Sequence, residues 1–130
     1  MEIKASLRYL RMAPRKVRLV ADLIRGMDVD RAKTELLFSK KRAAKPLLKL
    51  LNSAIANAKN NFNIPEERIK NFYIKRITVD EGPKLKRWMP VARGIAHQIQ
   101  KKTSHISLVL DERIKQEKPK ISKQQKGSIR

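Results

Sequence analysis

His97 and His105 are the only imidazoles in this 130-residue chain, so they are its only candidates for acid–base work with an ordinary pKa near neutrality. Neither has a nucleophile or an orienting carboxylate at a recognisable spacing, and an isolated exposed imidazole is expected to be a hydrogen-bonding surface residue. Carboxylates come in pairs at Glu66–Glu67, Asp80–Glu81 and Asp111–Glu112. The last two pairs fall at strand ends that the expected pairing brings only roughly near one another. They would either chelate a cation or pair with the many Lys and Arg around them, and the abundance of cations favours ion pairs. Glu66–Glu67 reads as the start of a turn or short helix. Cysteine is absent, which removes disulfides, a thiolate nucleophile and a zinc ribbon. The phosphate-cradling GxxxxGK[ST], the dinucleotide GxGxxG and the nucleophile elbow are absent too. The expectation is therefore no enzyme, no catalytic residue, no metal site and no cofactor.

The chemistry that is present is cationic. Thirty-two Lys and Arg against twelve Asp and Glu give a net charge of +20, spread along the whole chain. Self-repulsion on that scale calls for an extensive anionic partner, and a merely solvated surface needs far less charge. Nucleic acid fits best, because Lys and Arg neutralise phosphates and release counterions. The candidate contacts are Arg8, Arg11, Arg15, Lys16, Arg18 and Arg25 in the first part of the chain. Lys84, Lys86, Arg87, Arg93, Lys101 and Lys102 follow in a later basic stretch. Trp88 beside Arg87 either offers a face on which a base stacks or packs across a hairpin on Leu85 or Ile99. Thr103, Ser104 and His105 either donate to phosphate or a ribose 2′-OH, or are ordinary strand polarity. No helix-turn-helix spacing, zinc finger or RNP-type aromatic pair marks a sequence-reading module. The N-terminus lacks an apolar core of signal-peptide length, and no apolar run approaches the roughly 20 residues of a membrane span. A soluble intracellular protein is expected. A basic amphipathic membrane binder is the alternative, but its Leu-rich faces are better used in a core.

These residues need a scaffold, and the chain is long enough for one domain, residues 1–112. Ile3, Ala5, Leu7 and Tyr9 alternate with polar residues, predicting a half-buried strand over 3–12. Pro14 suits a first helical turn, and Val17, Val20, Leu23 and Ile24 make a stripe through 14–25, with Leu19 beside it. Gly26 is placed to end that helix in the left-handed region. A second short helix starts at Asp28 or Asp30 and buries Val29, Ala32, Leu36 and Leu37 before Ser39. The strongest pattern, Ala44, Leu47, Leu48, Leu51, Ala54, Ile55 and Ala58, predicts a central third helix. Pro46 means either that this helix starts only at about Lys41–Lys45 or that its first turn is kinked. Strands over about 71–80 and 103–111 complete an α+β fold, a three-stranded antiparallel sheet packed on three helices, with a long protruding β-hairpin.

That hairpin is residues 80–102. Its apolar residues keep no clean period and are interleaved with cations. A mirror point near Arg93–Gly94 would pair Val79 with Leu108 and Ile77 with Leu110, with Gly94 the one residue there able to take φ > 0 without strain. About ten residues per arm at ~3.3 Å each reach roughly 33 Å. Pro83 and Pro90 delete two ladder donors, so the arm is expected to be loose alone and ordered on its partner. From Arg113 onward the Lys- and Gln-rich sequence predicts a disordered basic tail over 113–130.

Five segments in order, KVRLVADLIRG (16–26), SAIANA (53–58), VDEGP (79–83), KRWMPVARG (86–94) and KKTSHI (101–106), resemble the large-subunit ribosomal protein twenty-two family in its bacterial or organellar form. The resemblance runs from about residue 3 to 112. It implies a small body on the outer surface of the large ribosomal subunit near the tunnel exit, and a hairpin threading between ribosomal RNA domains. It implies a tip, Met89, Pro90, Val91, Ala92, Arg93, Gly94 and Ile95, that lines the polypeptide exit tunnel near a similar loop of ribosomal protein four. The implied partners are large-subunit ribosomal RNA, neighbouring ribosomal proteins and the nascent polypeptide, on a cytoplasmic or organellar ribosome. The family usually reads MPRA-x-GRA where this chain has MPVARGIA, so Val91 and Ile95 stand where arginines are common. A free RNA chaperone or chromatin-type protein, and an RNA-acting enzyme, are the competing readings.

Overall fold

In the computed structural model, which describes residues 1–114, each long strand turns its alternate apolar residues toward one layer of helices. Strand β1 (Glu2–Leu10) is followed by helices α1 (Pro14–Ile24), α2 (Val29–Phe38), α3 (Ala44–Asn61) and α4 (Glu66–Ile69). Strand β2 (Phe72–Glu81) then leads through β3 (Leu85–Pro90) and β4 (Ala96–Lys101) back to β5 (Ser104–Glu112). The body sheet has the order β1-β5-β2, all antiparallel, while β3 and β4 pair only with each other. The fold is α+β as expected, but among the described residues four helices are present instead of three. The fourth is the single turn at Glu66–Ile69, which buries Ile69.

The helix patterns explain the core, with three corrections. Val17, Val20, Ala21 and Ile24 are the buried face of α1, so the inward position falls to Ala21 and Leu23 is exposed. In α2 the buried residues are Val29, Ala32 and Leu36, and Leu37 lies outside at 65% exposure. Leu37 follows Leu36 directly, and successive residues on a helix point about 100° apart. In α3, Leu50 is buried while Leu48 and Ile55 are only half-buried. Pro46 lies in the first turn of α3, where backbone N–H groups have no intrahelical acceptor, and the helix runs on regularly to Asn61. Gly26, at φ +77°, ends α1 and donates its N–H to the Ile74 carbonyl.

Two bulges set the strand faces. Between Leu7 and Leu10 the register of β1 shifts, Tyr9 takes φ +57°, and its side chain is exposed while Leu10 turns partly inward. The strand thus stops at Leu10 instead of 12. A second bulge between Ile74 and Arg76 returns Ile77 to the inside of β2. Ile77 pairs with Leu108 and Val79 with Ile106, two residues short of the pairing expected from the hairpin mirror. One residue of the discrepancy arises at the turn, which is centred on Arg93 so that Leu85 pairs with Lys101. The other arises at the root, where three residues, 82–84, bridge β2 to β3 but only two, 102–103, bridge β4 to β5.

Arg113, counted with the tail by composition, is docked on the body. Its N–H donates to Asn71 O at 2.9 Å, its guanidinium carbon lies 4.9 Å from the centre of the Tyr73 ring, and it pairs with Asp28 at 3.4 Å. The rest of the expected tail, 115–130, lies outside the described residues. Among the described residues no helix is long and apolar enough to cross a membrane.

Candidate nucleic-acid interface

The ribbon of β3 and β4 is built from six residue pairs, from Leu85↔Lys101 to Pro90↔Ala96. Every residue of β3 is exposed. Strand alternation puts Leu85, Arg87 and Met89 on one face with Lys101, Ile99 and His97, and Lys86, Trp88 and Pro90 on the other. Trp88 therefore faces away from both Leu85 and Ile99 and stands opposite Gln98, 68% exposed. Packing across the ribbon on Leu85 or Ile99 is ruled out by this register, leaving an indole face open to a stacking partner.

The turn is centred on Arg93, and Val91 N–H donates to Ile95 O at 2.9 Å to close it. Arg93 and Gly94 both take the left-handed region, at φ +64° and +69°. Gly94 was the expected residue there; Arg93 is a second one, at a conformation unfavourable for a side chain with a Cβ. The exposed surface of this turn combines Ala92, Arg93 and Ile95, with Val91 half-buried.

At the root of the ribbon, the hydroxyls of two candidate RNA donors are engaged within the fold. Thr103 is 5% exposed and its hydroxyl donates to Pro83 O at 2.7 Å. Ser104 is fully buried and its hydroxyl donates to Met12 O at 2.6 Å. Neither O–H is free for a phosphate. His105 accepts the Tyr9 N–H on Nδ1 at 3.1 Å, and its ring meets Tyr9 edge-on with centroids 4.9 Å apart. Gly82 closes the root by donating to Thr103 O at 2.9 Å.

Two expected contacts, Arg18 in α1 and Arg25 just after it, are likewise occupied. Arg18 donates from Nε and Nη2 to Val79 O, and Arg25 donates from Nη2 to Ile77 O at 3.0 Å while pairing with Asp22 at 2.6 Å. β2 is an edge strand, so these guanidiniums satisfy carbonyls that have no neighbouring strand. Arg8 and Arg15 are exposed and make no ion pair among the described residues, as do Lys84, Lys86, Arg87 and Arg93 on the arm.

Arg11, Lys16, Lys101 and Lys102 come together. They line a groove of about 630 Å³ between the start of α1 and the root of β4, joined there by Lys41 and Arg42. These last two were missed as contacts, because the run KKRAAK (40–45) was read only for where α3 begins. Four cations in six residues were the available signal.

The carboxylate pairs lie at opposite ends of the sheet: Asp80 and Glu81 pair with His105 and Ser104, whereas Asp111 pairs with Tyr73. Asp111 and Glu112 are engaged in ion pairs. The hydrogen bond from Arg68 holds the Glu112 carboxyl below its ordinary value. Burial alone would raise Asp111, but the Glu112 N–H, Lys75 and the N-terminal ammonium outweigh it and lower the carboxyl. Among the described residues no group of three or more metal-ligating side chains assembles.

The family described as ribosomal protein L22p/L17e matches residues 5–111. A protein of Thermus thermophilus named large ribosomal subunit protein uL22 is 51% identical over 113 residues, covering 87% of this chain and 97% of its own length. Proteins of the same name from Chloroflexus aggregans and Mesoplasma florum are 50% and 51% identical, covering 85% and 88% of this chain and 95% and 100% of their own lengths.

Proposed function

The chain belongs to the ribosomal protein L22p/L17e family, and we propose that it is a structural constituent of the large ribosomal subunit that binds large-subunit ribosomal RNA, aids its assembly and lends its ribbon tip to the wall of the polypeptide exit tunnel. Its place is the cytoplasmic ribosome, its partners the RNA and neighbouring ribosomal proteins. The mechanism is electrostatic. Arg8, Arg11, Arg15 and Lys16 on the body and Lys84, Lys86, Arg87, Lys101 and Lys102 on the arm neutralise phosphates, releasing counterions.

One observation carries this reading: among the described residues the ribbon pairs only with itself and leaves Trp88, Arg87 and Lys86 exposed. A lone two-stranded ribbon is marginal in water, so a chain that keeps one needs a surface to order it. An RNA groove supplies both the anions and the stacking bases. The tip would then present Val91, Ala92 and Ile95 with a single cation, Arg93, to a nascent polypeptide.

Sedimentation tests membership. The chain should remain with large subunits through a high-salt wash, and recovery entirely in the free fraction would favour a free RNA chaperone. RNA turnover lost on replacing His97 or His105 would instead revive the enzyme reading.

A further inference from the structure

We propose that the groove between α1, the 39–43 loop and the end of β4 seats one phosphodiester strand of RNA that touches body and arm together, with Lys41 and Arg42 as its body-side anchors. This rests on the reading of the chain as an RNA-binding protein and goes beyond it by naming the place where the two halves of the interface are joined.

Arg11, Lys16, Lys41, Arg42, Lys101 and Lys102 surround this one concavity, and among the described residues no carboxylate lines it. None of the six makes an ion pair among the described residues. Several cations elsewhere on the body are neutralised locally: Lys75 by Glu2 and Asp111, Lys59 by Glu66, Arg68 by Glu112. The groove between α2, α3 and α4 holds Lys33, Lys59 and Lys70 but also Asp30 and Glu66. The groove beside Lys45 and Lys49 is acid-free too but holds only those two cations, against six at the junction. Like charges around a low-dielectric concavity repel one another and focus their field on an incoming anion.

The geometry favours a strand over a single ion. The cations come from three separate segments, and Leu19 and Gln100 line the same groove, giving a ribose or base an apolar contact and an amide. The loop carrying Lys41 and Arg42 is held in place by the Lys41 N–H donating to Ser39 Oγ at 3.3 Å and the Ala44 N–H to Lys41 O at 3.1 Å. The opposite wall is tied to the arm root by the Ser104 hydroxyl on Met12 O. A backbone lying across both walls would fix the angle of the arm as it binds.

The test uses the full chain and a transcript of large-subunit ribosomal RNA. Lys41→Gln/Arg42→Gln is compared with Lys33→Gln/Lys70→Gln, which removes the same charge outside the groove. The groove pair should lower the log–log salt slope of binding by about 1.4–1.8, two contacts at 0.7–0.9 each, and the control pair should leave it unchanged. Equal changes in both, or none in the groove pair, overturn the proposal. If the unsubstituted chain binds without salt dependence, RNA binding itself fails instead. Amine acylation of the unsubstituted protein gives an independent readout: the transcript should protect Lys41 and Lys101 and leave Lys33 reactive. Protection of all three alike, or equal protection of Lys41 by poly-glutamate, would count against a seated RNA strand.

Discussion

Arg18 reaches from α1 to the outer edge of β2 and donates two hydrogen bonds, at 3.3 and 3.1 Å, to the Val79 carbonyl. With Arg25 on Ile77 O, and with Gly26 and Met27 bonded to Ile74, the open edge of the sheet is covered along most of its length. Charge and function separate here: Arg18 in the first helix and Arg25 just after it hold the fold, and Arg15 and Lys16 remain available to an anion.

Arg18→Ala should lower the unfolding free energy by roughly 1–2 kcal/mol, since it strips charge-assisted bonds from an edge carbonyl that water can partly reach. Its RNA-binding salt slope should stay unchanged. Arg15→Ala should do the reverse, leaving stability unaltered and reducing the slope by about 0.7–0.9. Denaturant titration and salt-dependent binding on the same two proteins check both halves.

Gly82→Ala should disturb the arm root. A Cβ there would overlap the Thr103 hydroxyl and come within 3.2 Å of His105 Nε2. Relieving that overlap breaks the Thr103 bond to Pro83 O, at a cost of roughly 1–3 kcal/mol, comparable with overpacking. Amide exchange should quicken at Gly82 and along β5 near Ser104, while α3 keeps its protection. An unchanged exchange pattern would mean that the root is not held by this contact.

Trp88→Ala should leave thermal stability of the body unchanged, because the indole touches nothing in the core. RNA affinity should fall by about 1–3 kcal/mol, the usual worth of one base stacked on an aromatic face. Trp88→Phe should restore part of it. A drop in melting temperature without loss of affinity would assign the indole to the fold.

Acid should weaken the body in a defined window. Glu2, Glu66 and Glu112 are held below their ordinary 4.5 by Lys75, Lys59 and Arg68, and Asp111 lies below 3.8. For carboxylates lowered on folding, the stabilisation is present above the ordinary value and is lost as pH falls through the lower folded value. The urea midpoint should therefore be flat from pH 7 to about 5 and decline below 4.5. Glu112→Gln should make that decline shallower.

How much of this was legible depended on whether the signal was periodic. The stripes of α1 and α3 and the alternation of β5 placed the core, and Gly26 marked the end of α1. The bulges escaped because they interrupt period two: the three-residue step from Ile74 to Ile77 was the trace of one, and Tyr9 followed by Leu10 the trace of the other. Leu37 and Leu23 were assigned inward on hydrophobicity, although the narrow buried stripe had room only for Leu36 and Ala21. At the interface the cations were visible as charges, but composition cannot tell Arg18, bent onto a carbonyl, from Arg15, facing water. Thr103 and Ser104 stayed open between two readings for the same reason, since a buried hydroxyl and an RNA-facing one look alike until the strand pairing is known. The junction groove joins residues up to 91 positions apart, and only the fold brings them together.

The most direct measurement is a density map of the large subunit carrying this chain. The account predicts β3 and β4 lying against ribosomal RNA, Trp88 stacked on a base, a phosphate strand in the groove beside Lys41 and Lys101, and Val91–Ile95 facing the exit tunnel. A ribbon folded back on its own body, or extending into solvent away from RNA, would contradict it.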